Sequence, residues 1–401
     1  MTSSQQTPAL FKPIKVGRLA LQHRVVLAPL TRFRVHASHV PGPQQASYYS
    51  QRGSEPGTLL ITEATLISHD AGGYSHVQAS TPDEQIKAWK TVTDAVHAKG
   101  SYIFLQLWSM GRVADVDFLE NQDPPSPYVS ASSVTLTGRP RPPRPLTEAE
   151  IQDYIAAYAT AASNAVHSAG FDGVEIHGAN GYLPDQFLQT ASNTRTDKWG
   201  GDEKGRTRFT REIVDAVVDA VGDDRVGLRI SPWSTYQDMG MPNPRPTFAY
   251  LVTALRDKHP KLAYLHVIEP RVAGPSDTDT ALNPDENNDF LREIWNGGEG
   301  GEERAFISAG GHTRENALCT AEDKGGLVAF GRLYVSNVRP AFSFNVLMLC
   351  SSVDFDSVQP DLSVRLRKNI ALTPSDLSKY YLRGNLTPFG YNDRPFADGS
   401  V

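Results

Sequence analysis

Apolar residues in this chain gather into short runs separated by stretches with helical spacing. Eight runs are bounded by turn-forming residues: Arg24–Ala28, Thr58–Thr62, Tyr102–Leu107, Gly173–His177, Val226–Ile230, Ala263–Val267, Ala305–Ala309 and Leu327–Phe330. Near-continuous apolarity over a few residues is the mark of a strand buried on both faces, as in parallel sheets. Most runs are followed by an amphipathic helix. Glu84–Ala98 places Ile86, Trp89, Val92 and Val96 on one face, and Thr147–Ala169 opens with the capping pair Thr147/Glu150 and stops at Gly170. Arg208–Val221, Phe248–Lys258 and Arg314–Lys324 are periodic as well. Strand–helix alternation predicts a parallel sheet, and eight units predict its closure into a TIM (β/α)8 barrel. The whole chain, 1–401, is read as one domain. Gln122–Pro145 is a proline- and serine-rich excursion off the third strand, and Asn296–Glu303 a Gly/Glu-rich surface loop.

A barrel of this kind carries its site at the C-terminal ends of the strands. Those ends hold Pro29, Leu30, Thr31 and Arg32 after the first strand, Glu63 and Ala64 after the second, and Gln106 and Trp108 at the third. The fourth ends in His177 and leads into Asn180, Gly181 and Tyr182. The fifth contains Arg229, the seventh ends in Gly310–Gly311 and the eighth in Gly331–Arg332. Singly, each of these glycines reads as an ordinary turn. Together, after adjacent strands and beside an arginine, they point to a phosphate-bearing cofactor held by backbone N–H groups. His177 and Asn180 can both donate to one oxygen, and Tyr182 is a weak acid suited to protonating a carbanion. On spacing alone, His177 reads equally well as a structural histidine. Gln106 reads equally well as a satisfied core glutamine. Arg229, inside an apolar strand, requires an anionic partner, and a reduced isoalloxazine ring is one. Glu175 lies two positions before His177, but no second histidine nearby completes a metal pattern, so no metal is expected.

Composition narrows the picture. The 401 residues carry a net charge of −6 and are 39% hydrophobic, which gives no reason to expect nucleic acid or an anionic membrane as partner. Two cysteines, Cys319 and Cys350, exclude a disulfide framework and fit a reducing compartment. Met1–Leu10 lacks the basic-then-apolar character of a secretory signal, and no apolar run is long enough for a bilayer. A cytoplasmic protein, monomeric or homodimeric, is the default expectation.

The segment Val174-Glu175-Ile176-His177-Gly178-Ala179-Asn180-Gly181-Tyr182-Leu183 continues through Gln186-Phe187, Ser192–Asp197 and Trp199-Gly200-Gly201. With Leu10-Phe11-Lys12-Pro13, Ala28–Arg32 and Leu60–Ala64, it resembles the old yellow enzyme family of flavin-dependent ene-reductases from Leu10 to about Asn337, and again from Pro360. The resemblance implies FMN as cofactor and NADPH as hydride donor. Pro29, Thr31, Ala64, Gln106 and Arg229 would lie around the flavin ring, with Gly310, Gly311, Gly331 and Arg332 on its phosphate. His177 and Asn180 would bind the acceptor's carbonyl oxygen, Trp108 would line its pocket and Tyr182 would supply the proton. The implied activity is ping-pong reduction of the C=C bond of an α,β-unsaturated aldehyde or ketone. A flavin-free barrel lyase or hydrolase is the competing reading.

Two segments depart from the family pattern. Asp202–Arg206 replaces a Ser-Ile-Glu-Asn-Arg helix start, which implies a less well anchored helix. Val338–Gln359, which includes Phe342, Phe344, Val346, Leu347, Met348 and Leu349, intervenes between Asn337 and Pro360-Asp361-Leu362 as an atypical insertion. One hypothesis is an in-frame retained intron, because Val codons begin with GT and Gln is encoded by CAG. Its product would be inactive if the insertion displaced the phosphate site. A processed message that still encodes Val338–Gln359 as the normal product refutes it.

Overall fold

The computed structural model describes residues 7–79, 83–277, 285–298, 300–301, 304–337 and 362–393. Cys350 and the insertion at 338–359 lie outside the described residues. Eight parallel strands close on themselves: β1 Val25–Leu27, β2 Leu59–Leu66, β3 Tyr102–Trp108, β4 Gly173–Gly178, β5 Val226–Ile230, β6 Tyr264–Ile268, β7 Ala305–Ala309 and β8 Leu327–Phe330. Closure is made where β8 pairs with β1 through Phe330 and Leu27, and β1 with β2 through Leu27 and Leu60. Around them run α1 Pro43–Arg52, α2 Asp83–His97, α3 Glu148–Ser163, α4 Glu203–Val221, α5 Arg245–Lys258, α6 Asp289–Asn296, α7 Arg314–Asp323 and α8 Leu362–Lys368. The TIM barrel expected from the hydrophobic pattern is the fold.

Alternation along the strands divides two cores. Outward residues such as Leu105, Val174, Ile176, Leu228 and Ile230 pack with Trp89, Phe209 and Leu251 beneath the helices. Inward residues, including Val26, Ile61, Phe104, Tyr264 and Ile307, fill the barrel, and Val16, Leu19 and Leu21 of an N-terminal hairpin join that cluster. Gly173 and Gly227 make room for two of the interior rings. A Cβ at Gly173 would fall 2.5 Å from Phe104 Cζ, and one at Gly227 2.3 Å from Tyr264 Cε2. Above this layer the inward positions turn polar, with Gln106 opposite Glu175 and Arg229 opposite both His177 and His266.

The start of α4 corrects one expectation. Asp202 caps it by accepting from the Gly205 N–H at 2.7 Å, and the Arg206 guanidinium donates to Thr247 Oγ1 at 2.6 Å and to the Gly201 carbonyl. An aspartate N-cap does what the family's serine would do there, so the helix is anchored despite the changed sequence. The Gln122–Pro145 excursion likewise has structure of its own: Val129–Ser130 pairs with Arg144–Pro145.

Candidate active site

The loop after β4 shapes one half of the site. Asn180 and Gly181 both adopt positive φ, +56° and +76°, and reverse the chain. Asparagine tolerates this region. Gly181 is required, because a Cβ would stand 2.8 Å from Met239 Cγ and 3.0 Å from Gln237 Cβ. The turn is pinned on three sides. Gly181 N–H donates to Asp185 Oδ2 at 2.8 Å, Gln186 Nε2 donates to the Gly181 carbonyl at 2.7 Å, and Asn180 N–H donates to Ser231 Oγ at 2.8 Å. Burial pushes the Asp185 carboxyl up to about 7.

Thus held, the Tyr182 ring stands edge-on to Trp108 (centroids 4.9 Å) and to His177 (4.8 Å). Burial, then the charges of Arg229 and His266, drives the His177 imidazole well below its ordinary value, so the ring is neutral. The Ala179 N–H approaches its Nδ1 at 3.4 Å, which leaves Nε2 as the protonated, donating nitrogen. Asn180 lines the same cavity as these rings, and its carbonyl oxygen is buried without a hydrogen-bond partner. Burial, with Tyr236 and Tyr74 nearby, raises the Tyr182 phenol above its usual range. With Phe33, Tyr74, Gln106, Arg229 and Tyr381, these residues enclose a cavity of about 330 Å³.

A second cavity, about 480 Å³, adjoins it and shares Pro29, Leu30, Arg229, Gly274, Pro275 and Tyr381 as walls. Its far end is built from Gly310, Gly311, Gly331 and Arg332, with Thr313 capping α7. Gly310 sits at φ +111°, and a Cβ there would lie 2.6 Å from Val272 Cγ2. Glycine keeps this corner open and its backbone within reach of a ligand. The N-terminus of the ten-residue α7 adds the positive end of a helix dipole. Arg332 is ion-paired with Asp277.

The residues expected from the sequence converge here. Pro29, Thr31, Gln106, Trp108, His177, Asn180, Tyr182, Arg229, Gly310, Gly311, Gly331 and Arg332 all line one cavity or both. Ala64 does not; it is buried behind the wall, in register with Gln106. Arg229 has an anionic neighbour in the protein itself, Glu175, although its Nε remains buried without a hydrogen-bond partner. Several wall residues escaped the sequence reading. Arg271, whose Nε donates to the Gly310 carbonyl at 2.6 Å, follows β6, the one strand end to which no residue had been assigned. Tyr381 and Arg383 come from the C-terminal segment, far beyond the last strand.

That segment is held by two arginines from the loop after β1. Arg32 is fully buried. It donates to the carbonyls of Tyr380 (2.9 Å) and Gly390 (2.5 Å), and stacks against the rings of Tyr48, Tyr380 and Tyr391. Arg34 donates to the carbonyls of Asn385 (3.0 Å) and Phe389 (2.9 Å). Glu63 completes the clasp, accepting from the Arg32 N–H at 2.7 Å and the Tyr391 hydroxyl at 2.8 Å.

A glycine-lined corner at a helix N-terminus that opens into a second cavity walled by Arg229 and Gln106, at the C-terminal mouth of a β/α barrel, fits the phosphate and ring of a flavin mononucleotide. The chain belongs to the NADH:flavin oxidoreductase / NADH oxidase family, whose profile matches residues 9–346. It is 44% identical to the NADP-dependent oxidoreductase lnbE of Aspergillus flavus over 98% of this chain and 97% of that protein. It is 45% identical to the chanoclavine-I aldehyde reductase fgaOx3 of Penicillium roqueforti over 97% and 96%. The old yellow enzyme of Pichia sp. AKU4542 superposes with a TM-score of 0.81 at 34% identity, covering 97% of this chain and 94% of that one. The protein is therefore an enzyme of the old yellow type, with FMN as cofactor and a reduced nicotinamide as hydride donor, and the lyase or hydrolase reading is set aside. Among the described residues no helix is long and apolar enough to cross a membrane.

Proposed function

We propose that the enzyme reduces the activated C=C bond of an α,β-unsaturated aldehyde or ketone at the expense of NADPH. The observation that carries this reading is the convergence of neutral His177, Asn180 and the protonated Tyr182 phenol on the one cavity that Arg229 and Gln106 also wall. FMN, when bound, supplies reversible uptake and release of hydride. Arg229 and Gln106 hold its ring. Gly310, Gly311, Gly331 and Arg332 hold its phosphate, Arg332 exchanging Asp277 for the anion. Pro29 and Thr31 would complete the ring contacts, with Ala64 buried behind them.

His177 Nε2–H and the Asn180 amide both donate to the acceptor's carbonyl oxygen, drawing charge toward it and leaving the β-carbon open to hydride. Tyr182 then gives its proton to the α-carbon. Trp108, edge-on to Tyr182, limits how the acceptor lies. Nicotinamide and acceptor use the same slot, so they enter in turn and the kinetics are ping-pong. The likeness to an aldehyde reductase supports an unsaturated aldehyde as the acceptor class. The chain acts as a single domain, monomeric or homodimeric, on small molecules in the cytoplasm; its net charge of −6 and two cysteines support that setting.

Anaerobic titration tests the reading. The purified yellow protein is bleached with NADPH and then offered unsaturated aldehydes, ketones and nitroalkenes. Recovery of colour with enals or enones, and formation of the saturated carbonyl product, is expected. A protein that bleaches but is reoxidised by none of them overturns the acceptor assignment, and one that stays colourless with added FMN overturns the flavin site.

A further inference from the structure

We infer that Glu175 is a positioning residue for the ring end of the cavity: its carboxylate fixes which end of the Gln106 amide meets the ligand and sets how much of the Arg229 charge the ligand receives. The inference rests on the flavin reading above and deepens it.

Glu175 is wholly buried inside the barrel on β4, facing β3, β5 and β6. Its Oε1 accepts from Gln106 Nε2 at 2.7 Å and its Oε2 from His266 Nδ1 at 2.8 Å. Burial alone would push this carboxyl up. The opposing pull of His266, Arg229 and Gln106 keeps it ionised. An ionised carboxylate accepts hydrogen bonds and cannot donate them. The Gln106 amide must therefore turn its NH₂ to Glu175, which leaves the carbonyl oxygen as the end available to the cavity that Gln106 walls.

The cavity thus presents an acceptor at Gln106 and a donor at Arg229. That pair complements a ring edge carrying an N–H beside a carbonyl, as the pyrimidine edge of a flavin does. Glu175 stands in register with Gly227, two residues before Arg229 on β5, and its charge attracts the Arg229 guanidinium, whose buried Nε has no hydrogen-bond partner. In a low-dielectric interior this partly neutralised cation favours negative charge on a ligand less than a free one would.

The test uses wild type, Glu175→Gln, Gln106→Ala and the double variant. Each apoprotein is titrated with FMN and with 3-methyl-FMN, which lacks the ring N–H donor, and the midpoint potential of each FMN-loaded protein is measured. A glutamine at 175 can accept as well as donate, so the Gln106 amide loses its fixed sense. The preference for FMN over the methylated flavin is expected to fall about tenfold in Glu175→Gln, equivalent to ~1.4 kcal/mol. The uncovered Arg229 is expected to bind reduced flavin about tenfold more tightly relative to oxidised, raising the two-electron potential by ~30 mV. In the Gln106→Ala background, Glu175→Gln is expected to leave the flavin preference where Gln106→Ala put it.

A Glu175→Gln protein with wild-type preference and potential overturns the inference, as does a further loss of preference in the double variant. Should Glu175→Gln fail to fold, Gln106→Ala decides: wild-type discrimination between the two flavins there overturns the proposal. A wild-type protein that binds no FMN overturns the flavin reading itself, an outcome distinct from a yellow protein indifferent to Glu175.

Discussion

Replacing Tyr182 by phenylalanine removes one oxygen and little else. The ring is held edge-on at 4.9 Å from Trp108 and 4.8 Å from His177, contacts that phenylalanine keeps. Stability should therefore change by no more than about 1 kcal/mol, the net worth of one hydrogen-bonding hydroxyl. The chemical loss is larger. A positioned proton donor contributes ~10²–10⁴ in rate, so the barrier for turnover of the acceptor should rise by about 3–5 kcal/mol. Flavin reduction by NADPH needs no proton from Tyr182 and should keep its wild-type rate. Burial holds the phenol protonated well above neutrality, so the wild-type acceptor step should show no fall from loss of this proton across the neutral range. Stopped-flow measurement of the two half-reactions separates these effects. Equal losses in both would mean that Tyr182 shapes the slot for every ligand. No loss in the second would mean that the proton comes from solvent.

Three further outcomes are expected. Gly310→Ala must hold φ +111° with a Cβ crowding Val272, a strain of ~1–3 kcal/mol, and FMN should dissociate at least about tenfold more readily; an unchanged Kd by fluorescence titration would show that this corner does not hold the cofactor. Arg32→Ala leaves the buried carbonyls of Tyr380 and Gly390 without their donor, so the protein should lose about 3 kcal/mol and be cut faster by trypsin after Lys379 or Arg383; a wild-type digestion rate contradicts the clasp. His23, buried and bonded to Thr58 Oγ1 at 2.9 Å, is lowered from 6.5 to about 4, chiefly by burial. Its folded pKa is depressed, so the stability it contributes is full above pH 6.5 and is lost as the pH falls through about 4. Between pH 7 and about 4.5, wild type should lose ~2–3 kcal/mol more than His23→Gln in urea unfolding, and parallel losses would refute the assignment.

The sequence made the outward faces of the strands legible because they alternate with helices that bury the same apolar stripe. It missed α1 between the first two strands, whose Pro43–Arg52 sequence is mostly polar and lacks an apolar period. The glycines after the last two strands and the His177–Asn180–Tyr182 spacing marked residues that line the two cavities, since both are local turns that the chain itself records. Arg229 was recognised as a cation needing a partner, but that Glu175 shares it could not be seen, because the two lie on neighbouring strands with 53 residues of intervening chain and a whole helix between them.

What the sequence determined alone is therefore whatever short range dictates: strand and helix periods, capping residues, the glycine turns and the identity of the chemical groups at the strand ends. Tertiary structure decided which groups face one another across the barrel: Glu175 with Gln106 and His266, Arg32 with the Tyr380–Tyr391 segment, and Tyr381 and Arg383 as walls of a slot whose other residues are more than a hundred positions away. The physical reason is that closing a cylinder sets side chains at equal height on different strands. The charge and hydrogen-bond balance of a buried site depends on that height, and no local pattern in the chain records it.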